Sequence, residues 1–312
     1  MNKLTTRRFD LPATFACIFV IISWSVNPIF VKYLTYDTDV WTQNLLRYIV
    51  ACLFWLPVLI WAISKGRVDK KIWYRSLIPV IANVIMQSLW VMAFYYIDPA
   101  FMNLLDKSSF LWIMVLSLFL FTEERVLLRS RRFWTSVILS ITGIAGVMLF
   151  DKRFGTLQTT VGILLVLSAA ILWSIYTVSV KIAFKDIDSR YGFSVISIYT
   201  VIGLFIPALF VGDLKQSFSL GAKPWIYIIV SSILSIALSH VFYYTAIKRI
   251  GAMIPALSLL ATPFIVIVLS GIFFKERLNG WQLFSGILLL AGCALAIWSQ
   301  EHLNPQKEDL NP

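Results

Sequence analysis

The stretch "WSVNPIFVK", Trp24 to Lys32, returns as "WSIYTVSVK", Trp173 to Lys181, and that echo decides the fold. Trp, Ser, Val and Lys recur 149 residues apart. Two more sets follow in the same order. "LFLFTEER", Leu118 to Arg125, matches "GIFFKER", Gly271 to Arg277, at Phe121/Phe273, Glu124/Glu276 and Arg125/Arg277. Farther on, Ser136/Ser285, Ile138/Ile287, Leu139/Leu288, Gly143/Gly292 and Ala145/Ala294 pair at the same 149-residue offset. A single match in apolar sequence means little. Three sets in one order at a nearly constant offset mark an internal repeat.

The chain of 312 residues is 59% hydrophobic and 14% charged, with a mean hydropathy of +0.81. An average soluble domain is about 45–50% apolar and about 25% charged. The departure is that of an all-α integral membrane protein. The net charge of +11 sits in short loops between apolar runs, so it reports topology and not nucleic-acid binding. About 20 apolar residues are needed to cross the hydrocarbon core. Ten segments qualify: 12–31, 42–62, 76–97, 100–121, 134–150, 160–183, 191–211, 224–247, 252–273 and 281–299. No connection is long enough for a soluble domain. The basic start "MNKLTTRRFD" leads into a long run without a cleavage site, which predicts a retained first span and not a signal peptide.

Ten spans and one repeat divide the chain into residues 1–151, residues 152–299 and a polar, disordered tail at 300–312. Lys and Arg set the orientation. Eighteen lie at the N-terminus, in the loops after even-numbered spans (counting Lys181 with the loop it borders) and in the tail; seven lie in the other loops. Both termini are therefore predicted to be cytoplasmic. Because five is odd, the two halves must be inverted relative to each other. Inverted repeats are typical of secondary transporters, whose site lies between the halves near the midplane.

These residues carry a family resemblance. The stretch "HVFYYTAIKRIGAMIPALSLLATPFIVIVLSGIFFKERLNGWQLFSGILLLAGCALAI", His240 to Ile297, has an Ala-Ile-Lys-Arg-Ile-Gly-Ala junction, Pro263 and the Glu276-Arg277 exit. With "WSVNPIFVK" and "LLRYIVA" (Leu45 to Ala51) in the first half, it resembles the EamA-type members of the drug/metabolite transporter superfamily. The resemblance covers roughly residues 12–299. It implies ten transmembrane helices in two EamA repeats, and export or exchange of small metabolites such as amino acids or their relatives. One stretch departs from it. Where the ninth span has "LLATPF" (Leu259 to Phe264), the fourth has "LLDKSSF" (Leu104 to Phe110), with two charges and no proline.

Charges in hydrocarbon point to function, since each costs at least about 2.5–3.5 kcal/mol on insertion scales. Three lie well inside spans: Arg47, Asp106 and Lys107. Asp106 is the only carboxylate among them and the first candidate for proton coupling; a structural ion pair is the alternative. Arg47 and Asp106 fall at similar depth, about 7–10 Å at 1.5 Å per residue, so a pair between them is feasible. Lys107, about 100° around the helix from Asp106, is then free to meet a substrate carboxylate or phosphate. Asn103 opens the same stretch and joins the candidate contacts.

On the third span Asn83, Gln87, Trp90 and Phe94 form one polar-aromatic stripe at helical spacing. On the eighth, Ser232, Ser235, Ser239 and Tyr243 form another, with His240 and Tyr244 beside it; the serines read as packing residues. His240 is the second proton-coupling candidate, against a single fixed hydrogen bond. Trp24, Asn27, Trp173 and Tyr176 lie on repeat-related helices and could wall a substrate, against an interfacial aromatic belt. Pro28 after Asn27 disrupts helical bonding there. Lys32 and Lys181 are expected to snorkel, and Glu124-Arg125 and Glu276-Arg277 to cap loop entries.

The partners implied are a small-molecule substrate, the lipid bilayer and protons, with no nucleic acid. No cofactor is expected and no metal: Cys17, Cys52 and Cys293 have neither metal-site nor disulfide spacing. The sum is a secondary transporter working by alternating access. An integral-membrane enzyme would need paired carboxylates or a nucleophile–base pair, and a channel or sensor is the other alternative. The absence of GxxxxGK[ST] argues against ATP-driven pumping.

Overall fold

A computed structural model describes residues 10–120, 128–250 and 253–303. These form helices α1 (Leu11–Leu34), α2 (Val40–Ser64), α3 (Lys71–Arg75), α4 (Leu77–Ala93), α5 (Pro99–Asp106), α6 (Ser109–Leu120) and α7 (Arg131–Leu149). Then come α8 (Leu157–Ala183), α9 (Ser189–Phe210), α10 (Ala222–Ser231), α11 (Ser239–Ile250), α12 (Met253–Ser258), α13 (Thr262–Phe274) and α14 (Gly280–Leu303). Among the described residues there is no strand.

Helix starts are written into the loops. Asp10, Asp39, Ser130, Thr156 and Asp188 each accept a backbone N–H of the helix that follows, satisfying a donor otherwise left open. Eight helices among the described residues are long and apolar enough to cross a membrane. Two shorter apolar helices, Leu77–Ala93 and Leu259–Phe274, occupy the third and ninth expected spans. The third stops short because Tyr95, Tyr96 and Phe94 turn back to carbonyls three residues earlier, as in a 3₁₀ turn. Apolar ridges such as Phe15, Ile18 and Ile22 on α1, and Ile78, Ile81 and Ile85 on α4, face outward. In water they would be a liability; against lipid tails they are the expected surface.

The packing repeats itself with the roles exchanged. The core partners of α1 are α10–α11 and α13; those of its counterpart α8 are α4 and α5–α6. The fifth helix of each half packs on the other, α7 on α14. There a Cβ on Gly143 would collide with the backbone of Leu289, one on Gly146 with Ser285, and one on Gly292 with Ser140. Rising numbers on α7 meet falling numbers on α14, so these repeat-equivalent helices run antiparallel. Moreover Ser140 and Leu289 are themselves 149 apart, so the Gly143 and Gly292 contacts are equivalents of each other. Small residues at these points let the backbones touch where no hydrophobic force drives helices together in lipid.

The expected fourth span is broken, contrary to a continuous helix. Lys107 and Ser108 form a turn between α5 and α6, with their N–H groups bonded three residues back. Carbonyls around the break are taken by other helices: Ser174 Oγ donates to Ser109 O at 3.0 Å and Cys293 Sγ to Lys107 O at 3.7 Å. The repeat-equivalent ninth segment is interrupted at the matching place by the 3₁₀ turn Leu259–Ala261, ahead of Pro263.

One end of the bundle is tied across the halves. Glu276 accepts N–H bonds from Ala100 at 2.8 Å and Phe101 at 2.9 Å, and the Ser270 hydroxyl donates to it. Its capping role thus falls on α5, a helix of the other half; Glu124-Arg125 lies outside the described residues. Lys32 is a correction: instead of snorkelling it donates to Phe94 O at 2.8 Å and Ile97 O at 3.3 Å and approaches Asp98 at 3.4 Å. Carbonyls beyond the C-terminus of α4 attract a cation, and that outcompetes solvent. At the opposite end Arg249 binds Asp10, joining α11 to α1.

Candidate functional site

The tryptophans that open the two repeat motifs meet each other. Trp24 and Trp173 stand edge to face with ring centroids 5.8 Å apart. Trp24 is fixed by its Nε1, which donates to Ser235 O at 2.9 Å, while Ser235 Oγ donates back to Ser23 O at 2.9 Å. Ser235 belongs to a π-helical segment, Ser232–Leu238, between α10 and α11. Such a segment bonds i to i+5 and shifts the side-chain register. Its carbonyls become anchor points for side chains: Ala237 O takes Trp55 Nε1 at 2.8 Å, and Leu234 O takes Ser239 Oγ at 2.7 Å. The serines of the expected eighth-span stripe therefore spend their hydroxyls on backbone.

His240 lies in the middle of the ring cluster. Phe193 stacks on it at 5.0 Å, and Trp24, Trp173, Tyr244 and Tyr176 approach at 5.6, 6.2, 6.3 and 6.4 Å. Its Nδ1 is 2.8 Å from Ile236 O. A carbonyl only accepts, so Nδ1 carries the hydrogen, and in the neutral ring Nε2 is left as an acceptor. That atom is buried with no hydrogen-bond partner among the described residues. Tyr243 tilts against Trp24 at 5.3 Å, and the Tyr244 hydroxyl donates to that of Tyr176 at 2.8 Å. Phe110, just past the break in the fourth segment, packs into the same cluster with Leu259.

Arg47 adjoins this cluster through Asn27, one turn along α1 from Trp24. Only 1% exposed, it donates from Nη2 to Asn27 Oδ1 at 2.6 Å and from Nε to Ser231 Oγ at 3.1 Å. The Arg47–Asp106 pair is not formed. Arg47 faces α1 and α10, while the main neighbours of α5 are α13 and α8. Asp106 is instead 3.5 Å from Lys107 Nζ. The helix ends at Asp106, so the 100° separation of a continuous helix does not apply, and Lys107 is not left free.

The third-span stripe divides. Asn83 is bonded to Tyr48 and to Thr200 Oγ1 at 2.9 Å, tying α4 to α2 and α9. Trp90 stands edge-on to Phe94 at 4.7 Å in a core group containing Val31, apart from the ring cluster. Gln87 is buried, as is Asn103, whose Oδ1 has no partner among the described residues. So Trp24, Trp173, Tyr176, His240 and Tyr243 converge and Asn27 and Arg47 join them, while Asn83 is bonded to Tyr48 and Thr200, Trp90 packs on Phe94 and Asp106 pairs with Lys107.

Phe193, Ser231 and Asn44 were not anticipated. Both amide atoms of Asn44 are buried without partners among the described residues, one turn before Arg47. The run Thr42-Gln43-Asn44 ahead of Arg47, polar where a span begins, was the available signal.

Comparison with known proteins agrees with this architecture. The EamA-like transporter family model matches twice, over residues 11–149 and 160–298. The uncharacterized transporter YvbV of Bacillus subtilis (strain 168) is 28% identical over 281 residues, covering 87% of each chain. A protein crystal structure superposes with a TM-score of 0.64 at 17% identity, covering 91% of this chain and 96% of its own, a likeness of fold alone. Matched over both halves, the chain belongs to the EamA-like transporter family, within the drug/metabolite transporter superfamily, and is a multi-pass membrane transporter.

Proposed function

We propose that the protein is a secondary active transporter, an exporter or exchanger, of a small polar metabolite such as an amino acid or a related compound. Ten spans form two inverted halves, residues 1–151 and 152–299, in the inner membrane with both termini cytoplasmic. The halves rock about a central site and open it to one side at a time. The observation that carries this reading is the meeting of repeat-equivalent Trp24 and Trp173, with the buried polar atoms of His240 and Arg47 beside them. A substrate held there contacts both halves and so senses their relative position. The antiparallel run of α7 against its equivalent α14 supports inversion, and the interrupted fourth and ninth segments are the kind of discontinuity found beside transporter sites.

Protons are the coupling ion in this reading, with Asp106 and His240 as candidate carriers. The test is flux through purified protein in proteoliposomes against a metabolite panel, with and without a pH gradient. Saturable flux that Trp24→Ala suppresses is expected. Flux without saturation, or single-channel current, would replace a carrier with a pore. Normal flux by Asp106→Asn would remove Asp106 as a proton carrier.

A further inference from the structure

Among the buried charges of the described membrane helices, Arg47 stands apart. Lys107 has Asp106 at 3.5 Å and Lys32 has Asp98 at 3.4 Å. Arg47 has no carboxylate within ion-pair range among the described residues; its acceptors are the neutral oxygens of Asn27 and Ser231. Its Nη1 is buried with no partner among the described residues. On the same face of α2, at i−3, the Asn44 amide is fully buried with neither polar atom partnered among the described residues. A charge taken out of water without a counter-charge is costly, and each unpaired polar group adds to that cost. The folded chain carries both penalties in one place, one helical turn from the ring cluster.

We infer that Arg47 and Asn44 form an anion site, so that the transported metabolite carries a carboxylate or phosphate group. Arg47 Nη1 and the Asn44 amide donate to it, while the organic part of the substrate lies against Trp24 and Trp173. A guanidinium suits this role because its fixed fork of donors matches the oxygens of either anion. Lys107, the cation the sequence offered for the purpose, is occupied by Asp106. A cationic substrate would meet Arg47 uncompensated and is excluded by repulsion in a medium of low dielectric. The inference rests on the transporter reading for its purpose, but its test reads binding at equilibrium. Failure of the anion site and failure of transport are therefore seen separately.

Thermal unfolding and tryptophan fluorescence of the full chain in nanodiscs provide the test, with benzoate, phenyl phosphate, benzylamine and benzyl alcohol as probes. Benzoate or phenyl phosphate should raise the melting temperature and change the fluorescence saturably, while benzylamine and benzyl alcohol do neither. Asn27→Asp supplies Arg47 with a carboxylate of its own. It should keep or raise the intrinsic melting temperature yet weaken the anion by on the order of tenfold or more, as expected for losing one charge-assisted hydrogen bond. Asn44→Leu, nearly isosteric, should weaken the anion without unfolding the chain. Nanodiscs of anionic and of zwitterionic lipid separate two sources of the anion. Suppression of the benzoate response only in anionic lipid would assign the site to a lipid headgroup and overturn a metabolite site. Equal responses to benzoate and benzyl alcohol, or no saturable response to either anion, would overturn it too, as would an undiminished response in Asn27→Asp.

Discussion

Trp24 and Trp173 are 149 residues apart in the chain and 5.8 Å apart between ring centroids, edge to face. Equivalent residues of two repeats can touch only near the axis that relates the repeats. The pair therefore marks where the two halves face each other at the candidate site, and it supplies two aromatic walls from one duplicated motif.

Removing either ring should cost stability and function together, but not additively. Both rings are partly buried, so truncation of either to Ala should destabilise by about 3 kcal/mol, the low end for a large aromatic. The double variant should fall short of the sum by about 0.5–1.5 kcal/mol, the excess typical of an aromatic pair. Thermal melts of the four proteins in one detergent close the cycle. Strict additivity would mean that the edge-to-face contact is incidental.

Rotation about a helix axis is what the sequence could not convey. The apolar, all-helical character and the repeat were legible, because composition and spacing encode them. Trp24, Trp173 and Tyr176 were found through the repeat itself. Arg47 was matched with the wrong neighbour, since hydropathy speaks to depth and not to which way a residue faces. The turn at Lys107-Ser108 has no proline to announce it, so the Asp106–Lys107 contact was invisible. The π-helical segment likewise changes the register within Ser232–Leu238, which no 3.6-residue pattern anticipates. His240 was flagged by its rarity, but its fixed Nδ1 and free Nε2 emerged only from the Ile236 carbonyl.

That fixed tautomer separates two roles of His240. Asn in its place keeps a donor near the Nδ1 position, so His240→Asn should retain the bond to Ile236 O and lose the acceptor that faces the rings. Its melting temperature should fall little, by the equivalent of about 1 kcal/mol, while substrate flux in proteoliposomes falls sharply. His240→Leu leaves the Ile236 carbonyl without its side-chain partner and should lower both. If Asn and Leu variants transport equally well, the ring is packing and nothing more.

The α7–α14 contact predicts a steep size limit. Gly143→Ala and Gly292→Ala each drive a Cβ into backbone of the opposite helix, which cannot yield as a flexible side chain would. Overpacking of this kind costs about 1–3 kcal/mol, and Val or Leu should prevent assembly of the helix pair. Gly280→Ala, where a Cβ meets nothing within 4 Å, is the matched control and should melt with the wild type. Size-exclusion profiles and melting temperatures distinguish the two classes.

Glu276 gives a pH dependence of defined sign. Burial raises its carboxyl above the usual glutamate value of 4.5, only partly offset by the donors Ser270, Ala100 and Phe101, and Asp98 adds repulsion. The folded state therefore holds this proton more tightly than the unfolded chain does. By linkage, stability from this group falls as pH rises from 4.5 through the folded value, and is greatest below 4.5. Asp10 acts in the opposite sense. The Ala13 N–H, followed by Arg249, lowers its carboxyl below 3.8 despite burial, so its contribution is present above 3.8 and lost as pH falls through the folded value. The two windows do not overlap. Melting temperature followed between pH 3 and 7 should slope downward with rising pH above 4.5 in the wild type, and Glu276→Gln, which carries no titrating proton, should lack that component. Glu276→Ala should instead melt lower at every pH, because it leaves the Ala100 and Phe101 N–H groups at the start of α5 without acceptors, at about 1–3 kcal/mol each where water cannot reach them. If Gln and Ala variants behave alike, the hydrogen bonds to α5 contribute nothing, and the tie between the halves at this end must be sought in the Lys32–Asp98–Arg153 cluster.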